Sequence, residues 1–373
     1  MADVRPAARR ALIGALLAAG GAFAAPPGTP LPPGPPFSPN AKPPHRIVVS
    51  IDTAPSRDVL TLLSAEAGAP AALRRLRAST AVRAVAKSEN VGLEDLFGRL
   101  VAAAAGTPDP LLASYKSRAR YFAALLDEME REGSASGAVL AFRVAQLLPD
   151  APVVDARVVV VPFLGIAGYG EVTSVREDDT LYFVADLPRL TGDVLAAPQP
   201  REALLKVLRA VGSEAWRTLF REHFEKPPAW SDGRAGSFDA LLMRTIAEGP
   251  ATIFLFADEF FPLDPFLGEP IERAFRRWNQ TAETLLDPKT KEAQGRDLVT
   301  GSTRGDFWGR YAAIVGAQIT DLLLREAGRE TFLRALAAGP RAVANLYAAR
   351  VKGTKHPDFS KAVRKALEAA PGH

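Results

Sequence analysis

The chain of 373 residues contains no cysteine. That absence excludes disulfides, thiolate metal sites and any lipid anchor attached through a cysteine. Histidine is scarce: only His45, His223, His356 and His373 occur. No two stand as a ready pair for metal or proton transfer. His45 follows a proline-rich stretch, His356 sits in a Lys-Gly-Thr-Lys-His loop expected to be exposed, and His373 is the last residue. Long apolar runs are also missing. The core of the N-terminal leader, Ala11 to Ala19, falls short of the roughly 20 apolar residues that span a bilayer. The formal charge is only +4, and the basic residues are interleaved with acids. Pairs such as Arg74-Arg75 and Arg276-Arg277 read as solvated helix faces. Without a basic stripe carrying aromatic platforms, nucleic acid is not an expected partner. The glycine-rich turn Gly165 to Gly170 lacks a following Lys-Ser/Thr, so it is no phosphate cradle.

Four segments follow from the patterning. Residues 1–24 read as a signal peptide: Arg5, Arg9 and Arg10, then a short apolar core, then Ala22-Phe23-Ala24 as the small-x-small cleavage pattern. Removing them takes away those three arginines and Asp3 and leaves a charge of +2. The mature protein is expected outside the cytoplasm, periplasmic or extracellular, with no integral membrane segment. Residues 25–44 are a proline- and glycine-dense linker. Residues 45–150 form an N-terminal, mostly helical subdomain that opens on a short strand, His45 to Thr53. Its helices are expected over Pro55–Glu66, Pro70–Arg77, Leu93–Ala105, Pro110–Glu132 and Ser136–Leu148. Residues 151–373 hold the central strands, a β-branched run at Val153 to Val161 and a second at Thr180 to Ala185. Helices then run to the end of the chain. The fold class is α+β: mainly helical, with a small mixed sheet.

The segment from Arg201 to Phe224 reads as one helix. Leu204, Leu208, Val211, Ala215 and Leu219 make an apolar stripe. Ser213 and Arg217 project from nearly the opposite side, where Trp216 and Phe220 flank them. A helix apolar on one side and partly apolar on the other is largely enclosed, as at the floor of a cleft. Its central run, Ser213-Glu214-Ala215-Trp216-Arg217, has the spacing of a zinc-peptidase HExxH, in which residues four apart lie on one face and converge on the metal. His223 is nine residues beyond Glu214 and points about 180° away from it on a straight helix, so it replaces neither lost ligand. Some thirty residues on comes Glu248-Gly249-Pro250-Ala251. Further on, Tyr311 to Ile319 combines an aromatic start with Gly316.

Together these segments resemble bacterial zinc-dependent peptidases of the glutamate type, the gluzincins, over about Pro152 to Tyr347. The resemblance implies a gluzincin metallopeptidase-like core. In the family, the glutamate after the first histidine activates a metal-bound water, and an acidic residue before a glycine on a second helix completes the zinc site. Glu214 and Glu248 stand at those positions, and Tyr311 begins the helix that follows the ligand helix. The Val158 to Gly170 strand and turn stand where the family carries its substrate-lining edge strand. This chain departs at both histidine positions. Serine is a poor zinc ligand, and arginine has no lone pair to donate. No cofactor is therefore expected, and Glu214 is left as a degenerate catalytic position. A cleft of Ser213, Glu214, Arg217, Glu248 and Tyr311 is expected, with Arg217 pairing to Glu214 or Glu248 where the metal stood. Gly249 and Gly316 are read as allowing close helix packing.

The expected function is an exported, catalytically inactive peptidase-like protein that binds a peptide or protein along the cleft edge strand. Two alternatives stand beside it. One is an atypical hydrolase or zinc-dependent relative working through Glu214 and Glu248. The other is a structural domain without a small ligand. Elsewhere, Asp258, Glu259, Asp264 and Glu269 surround phenylalanines; they read as a solvated rim, with a hard-cation loop as the alternative.

Overall fold

The computed structural model describes residues 44–64, 69–88, 90–105, 107, 110–164, 171–192, 198–226, 229–230, 236–255, 265–305 and 309–369. The segment read as a signal peptide, nearly all of the segment read as a linker, the turn at Gly165 to Gly170, Asp258, Glu259, Asp264 and His373 lie outside the described residues.

The protein is mainly helical, with one small mixed sheet. Strand β1 (Arg46–Ile51) is followed by helices α1 (Ala54–Leu63), α2 (Ala69–Ala78), α3 (Thr80–Ser88), α4 (Leu93–Ala104), α5 (Pro110–Ser117) and α6 (Ala119–Gln146). Next come β2 (Asp155–Phe163), β3 (Val172–Glu177), β4 (Thr180–Asp186) and the single turn α7 (Leu187–Thr191). The rest is helical: α8 (Pro200–His223), α9 (Phe238–Ile253), α10 (Pro265–Leu286), α11 (Glu292–Gly301), α12 (Tyr311–Glu326), α13 (Arg329–Ala338), α14 (Pro340–Val351) and α15 (Lys361–Glu368). The strand order is β1-β2-β4-β3. The β1–β2 and β2–β4 pairs are parallel, and β3 pairs antiparallel with β4 through the two-residue turn Asp178-Asp179. The sheet joins the two segments divided at residue 150, since β1 comes from the first and the other strands from the second.

The register sets which helices share a face. Gly137 and Gly133 of α6 lie against Val49 and Ile51. Those residues align with Val158 and Val160, and through β4 with Arg176 and Ser174. Arg176 and Ser174 in turn reach Glu222 and Glu214 of α8. Helices α6 and α8 therefore cover one face, while α3 packs on β3 and β4 from the other, the face of Tyr182.

Three expectations are corrected. The Val158–Val161 strand is not an edge strand: β2 is hydrogen-bonded on both sides, and the edges are β1 and β3. An unbroken β-branched run marks a strand buried on both faces, and Val158, Val160 and Val161 are at most 1% exposed. The break expected near Glu132 is absent, since α6 runs through Gly133-Ser134 for 28 residues. The glycines there are a packing requirement: a Cβ on Gly137 would sit 2.8 Å from the Val49 carbonyl oxygen. His356 is half-buried, with Nε2 3.8 Å from Glu326.

Helices α9 and α12 approach each other closely through Gly249 and Gly316. A methyl on Gly249 would collide with the Gly316 carbonyl, and one on Gly316 with the Thr245 carbonyl. Backbone has nowhere to move, so overpacking here is costly. Gly316→Ala is expected to lower stability by about 2 kcal/mol, read as a reduced thermal midpoint. An unchanged midpoint would mean the two helices separate freely.

His45 is buried at the entrance to β1. Its Nδ1 accepts from the Val154 N–H at 3.0 Å, and Phe224 packs edge-on at 6.2 Å. Burial lowers its pKa below the ordinary histidine value.

Candidate functional site

Helix α8 is held rigidly beneath the sheet. Trp216 is fully buried, donates from Nε1 to the Leu147 carbonyl at 3.0 Å and stacks on Phe220 at 4.6 Å. Val211, Ala215 and Leu219 are buried on the stripe, and Ser213 is also buried. The helix is enclosed on both sides, as its sequence indicates. These anchors fix the direction in which Glu214 and Arg217 leave the backbone.

Arg217 bridges two acids. Its Nη1 donates to Glu214 Oε2 at 2.8 Å, and its Nε and Nη2 both donate to Glu248 Oε2, at 3.1 and 2.9 Å. The side chains of Arg217, Glu214 and Glu248 are 20, 23 and 23% exposed. The triad is thus mostly withdrawn from water, where charge pairs are screened less than at a surface. Burial is the largest single influence on Arg217 and opposes its charge. The fields and hydrogen bonds of Glu248 and Glu214 together outweigh it and hold the guanidinium above its ordinary range.

Two residues of the site were not foreseen. Ser174 of β3 makes a long contact from Oγ to Glu214 Oε1 at 3.4 Å. Thr218 donates to Ser174 Oγ at 3.2 Å and approaches Glu214 Oε1 at 3.5 Å. The signal for Thr218 was its place four residues after Glu214, on the same helix face. Nothing local marks Ser174, which reaches the site only through sheet pairing. Tyr311 stands apart from the triad. Its hydroxyl lies 3.0 Å from Thr281 Oγ1 and 3.5 Å from the Leu298 carbonyl, and Arg277 covers its ring at 4.5 Å. It is a buried core residue, joined to none of the triad's hydrogen bonds. His223 is beside Glu222, at 4.0 Å. Glu269 lies 3.7 Å from Arg273.

The donor set does not fit zinc. A serine hydroxyl and a guanidinium stand where the resemblance calls for two imidazoles, and the guanidinium already lies on Glu248. A permanent cation there repels a second one. Among the described residues no three His, Cys, Asp or Glu side chains are grouped to hold a metal ion.

The edge strand beside the triad has a defined polarity. The Asp186 N–H donates to the Glu171 carbonyl at 2.9 Å. The hydrogen-bonded pairs therefore continue at Thr173, Val175 and Glu177, and Val172, Ser174 and Arg176 turn their backbone groups outward. The Arg176 carbonyl accepts from Lys87 Nζ at 3.1 Å. Val172 and Ser174 have no outward backbone partner among the described residues. Lys87 thus closes one end of the edge and leaves open the part above Glu214.

A second polar group lies deep in α12. Asp321 has a fully buried side chain paired with Arg325. Its Oδ1 and both polar atoms of Gln318 are buried and have no hydrogen-bond partner among the described residues. Burial pushes the Asp321 carboxyl from 3.8 up to about 6, against the lowering influence of Arg325. A raised acid pKa means the folded state holds the proton more tightly than the unfolded one. The charged form therefore costs stability above about pH 6, and that cost fades as pH falls toward the unfolded value near 4. Asp321→Asn should remove this dependence. The stability difference between wild type and variant is expected to change by about 2 kcal/mol between about pH 7.5 and pH 4, measured by urea unfolding. Parallel pH profiles would show that Asp321 reaches solvent.

Among the described residues no helix is long and apolar enough to cross a membrane. No family model, no curated protein and no solved structure matches this chain significantly.

Proposed function

We propose that this is an exported, non-hydrolytic protein with a gluzincin-like core that binds an extended peptide along the open edge of β3. The observation that carries the reading is the Arg217 guanidinium lying across Glu214 and Glu248, where the resemblance would put a metal ion. A hydrolase built on Glu214 needs that carboxylate free to take a proton; here it is engaged by Arg217. The outward backbone groups of Val172 and Ser174 supply what strand addition uses for affinity, and neighbouring side chains supply selectivity. The edge lies directly above the triad through Ser174, so one ligand would touch both.

The test is binding of the purified mature protein to an immobilised library of extended hexapeptides, beside a fluorogenic peptidase assay on the same library. Binding without turnover is expected. Turnover abolished by Glu214→Gln would replace this reading with the hydrolase alternative, and absence of both binding and turnover would favour a structural domain. Export is tested by N-terminal sequencing of protein from a native extract. A start at Ala25 or Pro26 is expected, and an intact Met1 or Ala2 would overturn it.

A further inference from the structure

We infer that the peptide recognised at this edge carries a lysine or arginine side chain on the face of Ser174, received by the free oxygen of Glu248 and by Glu214. The inference rests on the edge-binding reading above and adds the chemistry of the ligand.

Charge count is the first argument. Two carboxylates share one guanidinium, and both guanidinium bonds to Glu248 fall on its Oε2. Glu248 Oε1 makes no hydrogen bond among the described residues, while the side chain retains 23% of its exposure. The group is thus one positive charge short and has an acceptor without a protein partner among the described residues. Among the described residues Arg217 is the cation paired with these acids; Arg244, one turn before Glu248 on α9, is exposed and forms no ion pair with it. Arg176, on the same strand face, is held by Glu222 at 2.5 Å, and Arg221 lies by Glu225.

Strand geometry is the second argument. A strand added to the open edge of β3 alternates its side chains between the two faces of the sheet. Those on the α8 face stand beside Ser174, whose Oγ already lies 3.4 Å from Glu214. Neighbouring strands are about 4.8 Å apart. A long cationic side chain spans that step and reaches below the sheet, whereas a short one does not. An acidic side chain there would face two carboxylates. The position therefore selects by attraction and by repulsion together.

The experiment compares three hexapeptide libraries, alike except for a fixed central residue: lysine, its uncharged isostere norleucine, or glutamate. Affinity is measured by fluorescence anisotropy at low and at moderate salt, with wild type and Glu248→Gln. Glu248→Gln keeps the shape of the side chain and leaves Arg217 on Glu214; circular dichroism checks that the variant is folded. At low salt the lysine library is expected to bind wild type at least tenfold tighter than norleucine, and glutamate weakest. Glu248→Gln should reduce the lysine preference to less than about threefold without weakening norleucine. Equal binding of the three libraries would overturn the inference and leave the edge-binding reading standing. Failure of all three to bind would overturn both.

Discussion

Arg217→Ala is expected to lower the unfolding free energy by about 3 kcal/mol, read by calorimetry as a lower midpoint. The magnitude follows from what is left behind. Removing one member of a partly buried ion group leaves its partners desolvated and uncompensated, which costs more than the pair itself contributes. Glu214 and Glu248 would then face each other without the guanidinium that holds both within 3.1 Å. The exposures of 20–23% place the loss below that of a fully enclosed pair. Adding Glu248→Gln should recover part of it, because the second substitution removes the repulsion the first one uncovers. An unaltered midpoint in Arg217→Ala would mean that water already satisfies the two acids, and the compensated cleft would no longer explain why the site persists.

The second large effect concerns metal. The purified wild-type protein is expected to carry no stoichiometric zinc, and the double variant Ser213→His, Arg217→His to bind close to one zinc per chain. The reasoning is steric and electrostatic. Positions 213 and 217 are four apart on α8, and Arg217 already reaches Glu248 on α9. Two imidazoles there would present neutral donors on the same face, with Glu248 as an anionic third ligand. Removing Arg217 also removes the cation that repels the metal. Elemental analysis after exhaustive dialysis reads the outcome, and a zinc-dependent rise in melting temperature supports it. Adding Glu248→Ala should abolish the gain. Zinc bound equally by the wild type would overturn the reading of Ser213 and Arg217 as lost ligands. A double variant that folds but takes up no zinc would show that α8 and α9 do not hold the spacing that the gluzincin resemblance implies.

Local pattern carried much of the architecture. The stripe of Leu204, Leu208, Val211, Ala215 and Leu219, with Trp216 and Phe220 beside the polar positions, marked α8 as enclosed; all are buried except Leu208, which is partly buried. Glu214, three residues before Arg217, made half of the bridge readable, because an enclosed cation needs an anionic partner within reach; Glu248, on another helix, entered only as what the resemblance implies. Gly249 and Gly316 were legible as a close contact, although not as contact with each other.

What lay outside the sequence's reach was pairing. The run Val158–Val161 announces a strand; its neighbours β1 and β4 arrive from over a hundred residues upstream and some twenty downstream. The half-polar Val172–Glu177 shows neither clean alternation nor a buried run, so its strand state depends on the β4 partner. It is nonetheless the edge that brings Ser174 to Glu214. Tyr311 went the other way: a residue placed at the cleft by resemblance is spent on Thr281 and Leu298. The difference is one of range. Helix periodicity and charge spacing act within a few turns of backbone, and the chain states them directly. Sheet order and the destination of a tyrosine hydroxyl are set by distant surfaces that meet only when the core closes.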